Sequence, residues 1–124
     1  MFKKRSKNLF DAVETLIGRN AILEGTIKTG KVVRIDGKIK GDIDALGVLI
    51  GTEAEVVGDI NTKAIVVYGL VEGNINASET IEIMPKAKVV GDIKTNILTI
   101  AEGAYFDGKS SIITKEIDDG AEKK

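Results

Sequence analysis

The triplet Gly58-Asp59-Ile60 has near copies at Gly25-Thr26-Ile27, Gly41-Asp42-Ile43, Gly73-Asn74-Ile75 and Gly91-Asp92-Ile93, and a degraded one at Gly108-Lys109-Ser110. Successive glycines are 16, 17, 15, 18 and 17 residues apart. A unit of this size, repeated in a chain with almost no helical pattern, marks a coiled β-solenoid in which each copy makes one turn.

Working outward from each glycine, the residue two places before it is Leu23, Ile39, Val56, Val71, Val89 and Phe106, and two places after it come Ile27, Ile43, Ile60, Ile75 and Ile93. Further on stand the pairs Val33 and Ile35, Val48 and Ile50, Ile65 and Val67, Ile81 and Ile83, Leu98 and Ile100. Every run alternates with period two, the pattern of strands with one buried face. Turns stacked about 4.8 Å apart put equivalent side chains in columns, isoleucine upon isoleucine, in a dry interior. The glycine column is expected to hold positive φ, which a β-branched residue resists.

Four places before each glycine stand Ala21, Gly37, Ala54, Gly69, Ala87 and Ala104, a small column that reads as a corner near the axis. Ile35 to Gly37 and Val67 to Gly69 are two residues apart, whereas Ile50 to Ala54, Ile83 to Ala87 and Ile100 to Ala104 are four apart. That corner is therefore read as a variable loop and as the source of the unequal periods.

Thr15-Leu16-Ile17-Gly18 aligns with Val48-Leu49-Ile50-Gly51, which places Ile17 in a first turn. The expected organisation is a flexible arm over residues 1–14, a β-solenoid core of about six turns over residues 15–117, and a disordered polar tail over residues 118–124. At 124 residues there is room for one domain.

The chain has no cysteine and no histidine. Disulfides, thiolate chemistry and the commonest general base and metal ligand are thereby excluded. No apolar run reaches the length of a signal peptide or membrane span, and a cytoplasmic location fits best. The formal charge of −1 hides an asymmetry: Lys3, Lys4, Arg5 and Lys7 crowd the start, so the body is net acidic. The opening Met1-Phe2-Lys3-Lys4-Arg5-Ser6-Lys7 reads as two apolar residues followed by cations, suited to an anionic bilayer. Nucleic acid is not expected as a partner, because there is no broad basic face and few aromatics to stack on bases.

Gly25-Thr26-Ile27-Lys28-Thr29-Gly30-Lys31-Val32 nearly spells a phosphate-binding loop, but Val32 replaces the hydroxyl residue and a strand pattern follows where a helix is needed. The repeat already explains its apolar residues. Asp42, Asp59, Asn74 and Asp92 are read as an outward, solvated column, pointing in parallel and not converging on a metal. No cofactor is expected.

A solenoid exposes unpaired backbone and an apolar cross-section at each end, so without polar caps it is expected to stack end to end. Ile17 and Leu23 in the first turn, and Phe106, Ile112 and Ile113 in the last, are the side chains expected at those contacts.

The serial Gly-Asp-Ile turns, with Thr15-Leu16-Ile17-Gly18 leading to Leu23-Glu24-Gly25-Thr26-Ile27, resemble the bactofilins, bacterial cytoskeletal proteins, over about residues 15 to 113. The resemblance implies a right-handed β-helix of three-sided turns that polymerises end to end without nucleotide into nonpolar filaments. It also implies a scaffold at the inner face of the cytoplasmic membrane that localises cell-wall or cell-shape proteins. Residues 1–7 are similar to the family's membrane-targeting start, and Phe106 to a phenylalanine at a polymer contact. The rival class, hexapeptide-repeat acyltransferases and related enzymes, keeps close to 18 residues per turn and depends on histidine; neither holds here. A monomeric adaptor solenoid is the remaining alternative.

Overall fold

The computed structural model describes residues 12–113, and over them the period-two runs are strands, three to a turn. The first turn comprises β1 (Val13–Ile17), β2 (Ile22–Glu24) and β3 (Ile27–Lys28). The second comprises β4 (Val32–Ile35), β5 (Lys38–Lys40) and β6 (Ile43–Asp44). After β7 (Gly47–Ile50) and β8 (Glu55–Val57), the third side and the following first side fuse into single bent strands: β9 (Ile60–Val67), β11 (Ile75–Ile83) and β13 (Ile93–Ile100). Between and after them lie β10 (Leu70–Glu72), β12 (Lys88–Val90), β14 (Tyr105–Asp107) and β15 (Ser110–Ile112). The result is a parallel β-solenoid of about six three-sided turns.

All pairings are parallel, and equivalent residues stack turn upon turn except at two register shifts, between Val13 and Thr15 and between Ala77 and Thr80. Along the first side Ile17 lies beside Ile35, Ile35 beside Ile50, and Ile50 beside Val67. On the second side Leu23, Ile39, Val56, Val71, Val89 and Phe106 succeed one another. In the middle turns these columns are sealed: Ile35, Ile50, Val56, Ile65, Val67, Val71, Ile81, Ile83 and Val89 are at most 0% exposed. Burying each such side chain is worth about 1.5–3 kcal/mol, and no turn can do it alone.

The first strand begins at Val13, two residues ahead of the expected core boundary. Val13 pairs with Val32 across a register shift at Glu14, so the strand, with Glu14 as its bulged residue, extends two residues into the expected arm. Residues 1–11 and 114–124 lie outside the described residues, and with them most of the expected arm and the expected tail.

The positive-φ column is present, with φ between 138° at Gly25 and 153° at Gly108. Space is a second reason for glycine there. A Cβ built on Gly41, Gly58, Gly73, Gly91 or Gly108 collides with the carbonyl of the glycine one turn below. At the first corner the small column is also confirmed, with Ala54 and Ala87 2% and 1% exposed. Its four-residue versions are closed turns in which Ala21, Ala54, Ala87 and Ala104 N–H donate to Gly18, Gly51, Met84 and Ala101 carbonyls. The two-residue versions sit directly on such turns. A Cβ on Gly37 meets the Gly18 and Ala21 carbonyl oxygens, and one on Gly69 meets those of Gly51 and Ala54.

One reading of the sequence requires correction. The first corner is not the sole source of the unequal periods, because the corner between third and first sides also varies, by one residue. Against the single Lys63 between Thr62 and Ala64, Ser78 and Glu79 stand between Ala77 and Thr80 as a bulge. Gly30 and Lys31 are likewise two where the next turn has only Leu46. The 16- and 18-residue periods contain this bulge, and the 15-residue period has neither insertion.

Candidate functional site: the two ends of the solenoid

Among the described residues nothing covers either end. The outermost strands pair on one side only: β1, β2 and β3 at one end, and the second half of β13 with β14 and β15 at the other. Their outer N–H and C=O groups therefore point along the axis without partners among the described residues.

The buried columns run out onto these ends. Ile35, Ile50, Val67 and Ile83 are sealed, but Ile100, the next in their column, is 44% exposed. Ile17, Leu23 and Ile27 at the first end, and Leu98, Ala104 and Phe106 at the last, are only partly buried against the core. The structure thus brings Ile17, Leu23 and Phe106 onto the end faces, and adds Ile27, Leu98 and Ile100, which sequence reasoning did not single out. Their column membership was the available signal. Ile112 is 55% exposed in the last turn, in the column of Ala77 and Thr95. Ile113 instead lines a groove of about 520 Å³ that runs along the third corner past Thr29, Asn61 and Ser78. Met1, Phe2, Lys3, Lys4, Arg5 and Lys7 lie outside the described residues.

The Asp/Asn column at the second corner also differs from its expected form. Its side chains do not stand out in parallel; each leans along the axis and accepts from the next turn. Asp42 Oδ1 accepts from Asp59 N–H, Asp59 Oδ1 from Asn74 N–H, and Asn74 Oδ1 from Asp92 N–H, each at 3.0 Å. Asp92 Oδ1 completes the series with Lys109 N–H at 3.1 Å. Aspartate and asparagine serve alike because only an acceptor oxygen is needed. Among the described residues no cluster of three or more acidic side chains could hold a metal ion.

The near phosphate loop is taken up by the solenoid. Ile27–Lys28 is β3, Val32–Ile35 is β4, and the Thr29 hydroxyl accepts from Lys31 N–H at 3.1 Å. No helix N-terminus is there to face a phosphate. Among the described residues no helix is long and apolar enough to cross a membrane.

The described residues thus define a regular parallel solenoid whose apolar columns run to both ends, with nothing among those residues covering them. Comparison with known proteins agrees. Residues 15–111 match the family model "Bactofilin: Polymer-forming cytoskeletal". The chain is 37% identical over 103 residues to bactofilin BacO of Myxococcus xanthus, covering 82% of each protein. It is 30% identical over 96 residues to bactofilin BacP of the same organism, covering 77% of this chain and 40% of BacP. Its fold is similar to the solid-state NMR structure of the cytoskeletal bactofilin BacA, with a TM-score of 0.73, 28% identity, and coverage of 82% and 97% of the two chains. It also resembles a cryo-EM reconstruction of Thermus thermophilus bactofilin double helical filaments, with a TM-score of 0.72, 24% identity, and coverage of 78% and 97%. The chain belongs to the bactofilins, a family of polymer-forming cytoskeletal proteins.

Proposed function

We propose that this chain is a scaffold whose solenoids join end to end, without nucleotide, into nonpolar filaments held at the inner face of the cytoplasmic membrane. There they localise cell-wall or cell-shape proteins. The observation that carries the reading is the pair of apolar end faces, uncovered among the described residues, on which Ile17, Leu23 and Phe106 lie. Stacking a second copy continues the ladders and buries these columns, as each turn already does for its neighbour. Nonpolar filaments follow if like ends join, through two alternating isologous contacts. Right-handed winding is inferred from the strong preference of parallel crossovers for that hand.

The membrane part of the reading rests on Met1 to Lys7. Near an anionic bilayer each cation is worth roughly 1 kcal/mol, and inserting Phe2 adds about 1.5–3 kcal/mol. One subunit then binds weakly and an array strongly.

Negative-stain microscopy of the purified chain in nucleotide-free, metal-chelated buffer is expected to show filaments. Dispersed particles that sediment as monomers would support the adaptor alternative instead. Phe106→Arg is expected to abolish or shorten the filaments while leaving the circular dichroism spectrum unchanged, because a charge at a dry contact is costly. Removing residues 1–7 is expected to abolish co-sedimentation with anionic vesicles without stopping polymerisation; retained vesicle binding would place the anchor elsewhere.

A further inference from the structure

The three outward faces of the solenoid are not alike. On the third side the outward row includes Asp44, Asn61, Asn76 and Lys94 and is polar throughout. On the second side the row reads Ile22, Lys38, Glu55, Leu70, Lys88, Tyr105, and its reverse would set Lys38 against Lys88. On the first side the row reads, turn by turn, Leu16, Arg34, Leu49, Val66, Glu82, Thr99. Two aliphatic residues lie at its centre, a cation one turn to one side and an anion one turn to the other.

That order is complementary to its own reverse. We propose that the first side is a lateral contact between two antiparallel copies of this chain, related by a two-fold axis that runs along the strand direction. Such an axis sets Leu49 against Val66 of the second copy and Arg34 against its Glu82, twice over. The alternative two-fold, along the solenoid axis, sets Arg34 on Arg34 and Glu82 on Glu82, so like charges reject it.

Shape agrees with charge. Beside the row, along the first corner, Gly51 and Tyr68 occupy the same two central turns. Tyr68 stands 37% exposed. A hollow of about 340 Å³ lies there, bordered by Arg34, Asp36, Leu49, Gly51, Thr52 and Tyr68. In the antiparallel pairing each Tyr68 meets the hollow over the other copy's Gly51. Arg34 is already held by Asp36, Nε to Oδ2 at 3.0 Å, and its guanidinium has further donors for a carboxylate across the contact. Among the described residues Glu82 makes no ion pair of its own.

Six rows about 4.8 Å apart and four residues wide present on the order of 400 Å² per copy, about half the 800 Å² per partner of a standard stable interface. A single pair of subunits is therefore weak. The contact becomes strong when filaments repeat it, so the proposal rests on the end-to-end reading given above.

Because the chain has no cysteine, introduced thiols report the contact cleanly. Arg34→Cys and Glu82→Cys chains, polymerised separately or mixed, are treated with a short bis-maleimide. The mixture is expected to yield cross-linked dimers at least tenfold above either chain alone, since identical residues lie three rows, about 14 Å, apart along the axis. Equal cross-linking of Arg34→Cys alone, or none in the mixture, overturns the proposal. By microscopy, Glu82→Arg is expected to turn paired filaments into single ones of unchanged length. The Arg34→Glu/Glu82→Arg double exchange is expected to restore pairing; failure to restore it overturns the register. Wild-type filaments that never pair overturn the lateral contact and leave end-to-end assembly standing. If no filaments form, it is the end-to-end reading that fails, and the mixed cross-link at high protein concentration still decides the lateral one.

Discussion

Gly73 and Gly25 have nearly the same backbone, φ 147° and 138°, but different neighbours. Replacing either by alanine carries the cost of a left-handed conformation, about 1–2 kcal/mol. At Gly73 the new Cβ also strikes the Gly58 peptide, whereas at Gly25, in the first turn, it meets nothing within 4 Å. Urea unfolding at fixed protein concentration is therefore expected to show Gly73→Ala less stable than Gly25→Ala by a further 1–3 kcal/mol or so. Equal losses would show that φ alone sets the glycine column. The Asx ladder gives a second comparison. Asp59→Ala removes the acceptor for Asn74 N–H and is expected to lose about 0.5–1.5 kcal/mol. Asp59→Asn keeps an acceptor and is expected to be nearly neutral; a loss matching that of alanine would make the charge, not the hydrogen bond, the working feature.

At the scale of strands and corners, alternation alone revealed the sides of each turn. Val33, Ile35 and Ile39 needed no tertiary information, because a strand with one buried face writes that face into every second residue. Corners were harder to read. The four-residue first corners could be seen because Ala54 and Ala87 mark their far ends, but the Ser78-Glu79 bulge adds one polar residue among others and leaves no apolar trace. Deleting Glu79 brings this corner to the length of its neighbours at Lys63 and Asn96. It forfeits only an exposed ion pair with Lys63, 3.7 Å long, which is worth about 0–1 kcal/mol. The deletion is expected to leave the melting temperature within a few degrees; loss of folding would mean that the bulge sets the register of the strands beyond it.

Over the whole molecule, the position of a residue along the axis decides what it stabilises. Ile83 and Ile100 share a column, yet one is sealed and the other 44% exposed at the end. Ile83→Ala is expected to destabilise the fold by about 2–5 kcal/mol. Ile100→Ala is expected to cost well under half of that in unpolymerised protein while raising the critical concentration for assembly. A polymer-forming chain also gains stability by mass action, so its melting temperature is expected to rise with protein concentration. The Phe106→Arg chain is expected to lose that dependence.

The sequence by itself determined the solenoid, its number of turns and its buried columns. These follow from a local chemical period, and each repeat states it again. Only the tertiary structure decided that Asp42, Asp59, Asn74 and Asp92 bond along the axis, that Gly37 and Gly69 sit on the carbonyls of a longer corner, and that Leu49, Val66, Arg34 and Glu82 share one outward face. Those relations join residues of successive turns, 15 to 19 apart, whose spacing changes from turn to turn. They exist only once turns of unequal length have been stacked.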